Sequence, residues 1–270
     1  MPVLRALREA GHDVVLAVSR GDARRGRGGA LVASPVKAAA RDLGIPVSDR
    51  PDDLLDAGVD LAVVVAFGRI IKPHLLAAVP MVNLHFSLLP RWRGAAPVER
   101  AILAGDQRTG VCLMAVEEGL DTGGVYARAE VPIGPDDTVE EVRGRLVELG
   151  TRLLLDALER GFGEPRPQVG DPTYAAKIAP EERRIDWAAP ALQVHRQVRI
   201  GGAWTTHAGR RLKVWRTAVP PRGDGPTVAA GPDPGEAVEL VEVQPEGKPR
   251  MRGRAWANGA HWVDGGRLGP

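Results

Sequence analysis

Short apolar, β-branched runs alternate with helical stretches through the first half of the chain, and that alternation leaves few folds open. Val3, Leu4, Leu7 and Ala10 recur at helical spacing, with Pro2 suited to a helix start and Gly11 closing the run. HDVVLAVS follows as a buried strand, and residues 20–34 form a Gly- and Arg-rich loop closed by Pro35. Residues 36–43 suit a helix stopped at Gly44. LAVVVAF (61–67) is a near-continuous β-branched run, expected of a strand covered on both faces. A short helix at 74–78 and the strand MVNLHF come next, then the helix APVERAILAG and the strands VCLMAV and VYARAEVPI. A long amphipathic helix at 138–160 completes the series. The predicted class is α/β, with a mostly parallel sheet and helices on both faces.

The pattern changes after Gly161. GFGEPRPQVGDP is a Pro/Gly-rich connection of the kind that links domains. Beyond it lie β-like pieces, RRLKVWRTAV, AVELVEVQP and AHWV, between Gly, Pro and Asp turns, with a helix at 190–198. These predict a small barrel or open sheet. The expected domains are therefore 1–160, a linker at 161–179, and 180–270. Composition fits a globular protein, with 44% hydrophobic and 26% charged residues. No apolar run reaches the roughly 18 residues of a membrane span, and no signal-peptide layout opens the chain, so a cytoplasmic protein is expected. One cysteine, Cys112, excludes an intramolecular disulfide and a cysteine-rich metal site. The net charge of +2 is uneven: residues 180–270 hold 14 Lys and Arg against 10 Asp and Glu. Arg20, Arg24, Arg25 and Arg27 form a second basic cluster around Asp22. Such segments attract a polyanion such as RNA, although a solvated Arg-rich surface reads the same way.

The chemistry concentrates in NLHFSLLPRWRGAAP and the later GLDTG. Residues two apart on a strand point the same way, so Asn83 and His85 share one face at a strand end. Ligands of open α/β sheets bind at such ends. An amide donor beside an imidazole suits oxyanion binding and proton handling, and Asp121 in its Gly-flanked turn can orient the ring. No serine lies in a nucleophile elbow, and Cys112 sits in an apolar run. The chemistry left is direct attack by an external nucleophile on a bound carbonyl. Taken singly, each residue also has a structural reading: a hydrogen-bonded strand-end His, an Asx turn at Asp121, an Asn serving backbone groups.

NLHFSLLPRWRGAAPVERAILAGDQRTGV with EEGLDTG resembles the signature of the folate-dependent formyltransferases. SLLPRWRGAAP, the GRG…SPVK segment at 26–37 and RIDW at 184–187 resemble the branch acting on methionyl-tRNA. The resemblance implies a Rossmann-like catalytic domain and a C-terminal OB-like β-barrel that binds tRNA. It implies 10-formyltetrahydrofolate as co-substrate without a metal, and methionyl-initiator tRNA as acceptor. By position, Asn83, His85 and Asp121 are the implied catalytic residues. Ser87, Leu88, Leu89 and Pro90 are implied to line the reduced-folate site, and Arg27 and Lys37 to contact tRNA phosphates. The expected reaction passes through a tetrahedral intermediate, its oxygen held by Asn83 and His85, with Asp121 polarising the ring. A monomer, free of membrane, is expected.

Two departures stand out. The family opens with a strand and a Gly-Thr-Pro turn, whereas this chain begins at the first helix; the expected native start lies about 15 residues upstream. Ile200-Gly-Gly-Ala-Trp204 replaces a common Asn-Pro-Trp-Pro turn. The competing readings are a formyltransferase acting on a nucleotide sugar or on glycinamide ribonucleotide, and an inactive RNA-binding remnant. An assay of formyl transfer to Met-tRNA against a sugar amine separates them.

Overall fold

The computed structural model describes residues 2–25, 29–233 and 235–269. Two compact units are present. One comprises Met1–Pro97, Thr109–Val131 and Gly144–Ala175; the other comprises Val98–Arg108, Pro132–Arg143 and Ala176–Pro270. The chain runs through α1 (Pro2–Glu9), β1 (Ala17–Val18), β2 (Ala23–Arg25), β3 (Ala30–Val32), α2 (Pro35–Asp42), β4 (Val47–Ser48) and β5 (Ala62–Val64). Next come α3 (Pro73–Ala78), β6 (Met81–His85), β7 (Arg93–Gly94), α4 (Pro97–Ala104), β8 (Arg108–Ala115), β9 (Val125–Pro132) and α5 (Val139–Arg160). The last elements are β10 (Tyr174–Ala175), α6 (Ala191–Arg199), β11 (Trp204–His207), β12 (Arg210–Ala218), β13 (Thr227–Ala229), β14 (Ala237–Pro245), β15 (Met251–Arg252) and α7 (Gly253–Ala260).

The first unit is α/β, as expected. Its main sheet has the order β5-β6-β8-β9. β5 runs parallel to β6 (Val64 opposite Asn83), and β8 runs antiparallel to β6 (His85 opposite Cys112). Met81, Val82, Leu84, Val111, Cys112, Leu113 and Met114 bury both faces of the two central strands. β1 and β4 form a separate parallel pair, Ala17 opposite Val47. Sequence and structure differ here in two ways. HDVVLAVS is strand only where β4 flanks it, because a ladder needs a partner along its length. The run at 61–67 is not covered on both faces: β5 is an edge, and Leu61 to Val65 are each only partly buried. β-branched content reports strand propensity, not how many neighbours a strand has.

The 20–34 segment, expected as loop, contains the antiparallel hairpin β2–β3, Ala23 opposite Val32. Its base is fixed by two contacts. Ser19 and Ser34 share a buried hydroxyl hydrogen bond of 2.6 Å, and Lys37 Nζ donates to Asp22 Oδ1 at 2.7 Å. Ser34 also caps α2, its Oγ accepting from Lys37 N at 3.1 Å ahead of Pro35 in the first turn.

The second unit holds the curled antiparallel half-barrel β11-β12-β14-β13, with β15 on β14. Register shifts at Val214/Arg216 and Arg216/Thr217 bend β12, as bulges do. Trp187, Val194, Val198, Leu212, Val214, Val228, Leu240, Val243 and Trp256 fill its core. Glu239 is buried at 3% exposure and accepts from the backbone N–H of Arg222, Gly223 and Gly225 at 2.8, 2.8 and 3.0 Å. AHWV is not a strand. Ala260 ends α7, His261 turns the chain in the left-handed region, and Trp262 packs against Trp256 with ring centroids 5.5 Å apart. GRAWANGA hides that helix because its two glycines lower helical propensity while only Trp256 and Ala257 supply a buried face.

Candidate active site

β6 delivers Asn83 and His85 to the same side, as its two-residue period requires, while Val82 and Leu84 go into the core. Asn83 is half-buried and His85 is 5% exposed. The chain then turns twice around the imidazole. His85 Nε2 lies 2.9 Å from the carbonyl oxygen of Trp92, and His85 Nδ1 lies 3.6 Å from Asp121 Oδ2. A carbonyl only accepts, so Nε2 carries a proton and donates it to Trp92 O. Nδ1 is the nitrogen left for proton exchange, and it faces a carboxylate. Asp121 Oδ2 is itself fixed, accepting from Gly94 N at 2.8 Å.

Both residues that touch the imidazole have left-handed backbone: Trp92 at φ 63° and Asp121 at φ 50°. For a residue such as Trp this costs on the order of 1–3 kcal/mol and persists only when surrounding bonds over-determine it. They do. Trp92 N donates to Thr173 Oγ1 at 2.9 Å, Arg93 N to Thr173 O at 2.9 Å, and β7 pairs with β10. Gly94 is required at this crossing: at φ 117°, an added Cβ would meet the Ala175 carbonyl oxygen at 2.9 Å. Gly123 is required behind the Asp121 turn, where a Cβ would collide with the carbonyl oxygen of Ala115.

Gln168 joins the two turns. Its Nε2 donates to the carbonyl oxygens of Asp121 and Gly123 at 2.8 and 2.9 Å, and its Oε1 accepts from Arg93 Nε and a terminal nitrogen at 3.1 and 2.7 Å. Sequence reasoning assigned this stretch to a linker. Here residues 166–175 run along the first unit, Arg166 exchanging both backbone bonds with Val125. Prolines in GFGEPRPQVGDP remove donors, but Arg166 between two of them still pairs with Val125 in both directions. The available signal was one Gln among Pro, Gly and charged residues.

Of the four residues expected at a folate site, Leu88 and Pro90 keep partial exposure. Ser87 is buried, its Oγ donating to Arg91 O at 2.6 Å, and Leu89 packs on Cys112 and Met114. Among the expected RNA contacts, Arg27 lies outside the described residues. Lys37 is paired with Asp22, and hydrogen bonding from Lys37 holds the Asp22 carboxyl below the usual carboxylate range. The arrangement of Asn83, His85 and Asp121 suits an amide donor for an oxyanion and an imidazole that carries one proton through Nδ1.

Comparison with known proteins agrees in kind. Residues 1–158 match the formyl transferase family and residues 177–261 match the formyl transferase C-terminal domain. The chain is 43% identical over 300 residues to a protein of Symbiobacterium thermophilum named methionyl-tRNA formyltransferase, covering 99% of this chain and 91% of that one. A crystal structure of an N-formyltransferase from Helicobacter canadensis with folinic acid and dTDP-3-aminofucose is similar at TM-score 0.66 and 18% identity, covering 88% and 94%. The methionyl-tRNA formyltransferase structure from Clostridium thermocellum is similar at TM-score 0.59 and 17% identity, covering 74% and 86%.

Proposed function

The chain belongs to the formyl transferase family as one of the methionyl-tRNA formyltransferases, and on that premise we propose how its own residues carry out the reaction. The enzyme transfers a formyl group from a folate donor to the amino group of methionyl-initiator tRNA for translation initiation. The donor in this reading is 10-formyltetrahydrofolate. The observation that carries the assignment of roles is the His85–Asp121 pair at 3.6 Å beside Asn83 on one strand end.

The methionyl amine attacks the formyl carbon, forming the new C–N bond and placing an electron pair on the formyl oxygen. The Asn83 side-chain amide donates to that oxygen. The sequence-based expectation shared this role with His85, but the Nε2 proton of His85 is held by Trp92 O. His85 therefore acts through Nδ1, which takes a proton from the attacking amine. Asp121 stabilises the imidazolium, and Nδ1 returns the proton to the folate nitrogen as the old C–N bond breaks. Protons and charge balance over the cycle.

Leu88 and Pro90 present the accessible apolar surface for the reduced folate, with Ser87 and Leu89 holding the turn from inside. Arg27 contacts tRNA phosphates, while Lys37, already neutralised by Asp22, braces the hairpin base. Residues 1–160 form the catalytic domain and 180–270, with their excess of Lys and Arg, a tRNA-binding domain. No described helix is long and apolar enough to cross a membrane, and the reading places the enzyme in the cytoplasm. The test supplies 10-formyltetrahydrofolate with either Met-tRNA or dTDP-3-aminofucose. Formylation of Met-tRNA alone is expected; comparable kcat/KM on the sugar nucleotide overturns the acceptor assignment.

A further inference from the structure

We propose that Gln168 is a positioning residue for the reaction, acting through Asp121 from a segment that the sequence presents as a connector. The inference rests on the reading of His85 and Asp121 as the proton-handling pair.

The imidazole is clamped between two turns that are distant in the chain. One supplies Trp92 O to Nε2, and the other supplies Asp121 Oδ2 near Nδ1. Their relative placement sets the 3.6 Å separation. The turns are tied together near that point by Gly94 N, which donates to Asp121 Oδ2, and by the Gln168 amide. The first depends on the Asp121 side chain itself. Gln168 instead holds the Asp121 turn by its main chain, with two N–H donors on the carbonyls of Asp121 and Gly123. Its oxygen is anchored by Arg93, the residue between Trp92 and Gly94. Only a side chain with an acceptor at one end and two donors on the adjacent nitrogen spans both turns, which is the chemistry of a primary amide. With left-handed backbone at Asp121, the turn relaxes once those donors are removed. Displacing a proton-handling group by about 1 Å can cost about 100-fold in rate.

Three variants of the full chain test this, with kcat and KM for both substrates and the unfolding midpoint measured for each. Gln168→Glu keeps the acceptor for Arg93 and removes the donors to Asp121 and Gly123. Gln168→Ala removes both ends, and Asp121→Asn reports on the catalytic pair alone. Gln168→Glu and Gln168→Ala are expected to lose about 10- to 100-fold in kcat, with both KM values within about threefold of the parent. Gln168→Glu is expected to keep an unfolding midpoint near the parent's. If Gln168→Ala does not fold, Gln168→Glu alone decides. Near-normal kcat in Gln168→Glu beside an inactive Asp121→Asn overturns the role of Gln168 while leaving the pair standing. Losses that fall on KM and thermal stability together also overturn it, since they indicate a purely structural tie. Near-normal turnover in Asp121→Asn overturns instead the reading of the pair.

Discussion

Asp121→Asn isolates charge from shape. The amide is nearly isosteric with the carboxylate, and its oxygen can still accept from Gly94 N, so the turn should survive. What disappears is a negative charge 3.6 Å from His85 Nδ1. That charge matters little while the ring is neutral and greatly once Nδ1 has taken the amine proton, so its loss raises the barrier and not the substrate affinity. The side chains of His85 and Asp121 are 6% and 16% exposed, which places the pair nearer a protein interior than bulk water. At an effective dielectric of about 20, two unit charges at that distance interact by about 4.6 kcal/mol. Converted to a rate, this is about 10³-fold in kcat. The assay is single-turnover formylation of Met-tRNA with both substrates saturating, stopped by acid and read by radiolabelled formyl. A loss below about tenfold, or one confined to KM, refutes the electrostatic argument.

Three further outcomes are expected. Asn83→Ala removes the amide donor to the developing oxyanion and should lower kcat by about 10²- to 10³-fold with its fold intact; unchanged kcat removes Asn83 from the mechanism. Arg27→Ala should raise KM for Met-tRNA and leave KM for the folate unchanged, the difference shrinking as salt increases; an effect on the folate alone contradicts the assignment. Glu239→Gln should lower stability at pH 7 by about 1–3 kcal/mol, read from urea midpoints, because one of the three backbone donors loses its acceptor. Burial opposes the Glu239 charge, but the N–H groups of Arg222, Gly223 and Gly225 outweigh it and hold the carboxyl below its ordinary range. Its stabilisation is thus complete above the unfolded value of about 4.3 and is lost as pH falls through the folded value, so the gap between parent and variant should close in acid.

Period-two reasoning placed Asn83 and His85 together because both lie on one strand, where geometry follows from spacing alone. Asp121 was readable as a turn residue because glycines flank it, but its 3.6 Å approach was not, since β8 ends at Ala115 opposite Val82 and the loop after it brings Asp121 back to His85. Gln168 was not readable: its partners are main-chain carbonyls 45 and 47 residues away, which no side-chain pattern encodes. The Lys37–Asp22 pair escaped for a similar reason, since charge counting treats each cation as available until a partner 15 residues off is seen. The edge position of β5 and the helix hidden in GRAWANGA show the same limit from the side of packing. Local composition reports what a segment can form, and its neighbours decide what it does form.

Cys112 stands on β8 directly opposite His85 and has no exposed surface. Burial pushes its thiol pKa up, so in the closed ladder it is both shielded and protonated, and alkylating reagents need the thiolate. Because the chain contains no other thiol, any adduct forms there. Its alkylation rate is therefore a clock for how often the 87–90 turn, whose Leu89 covers the thiol, lifts from the sheet just after the imidazole. A substrate that slows that clock in proportion to its occupancy rigidifies the turn bearing Ser87 to Pro90, and one that does not must bind without tightening it.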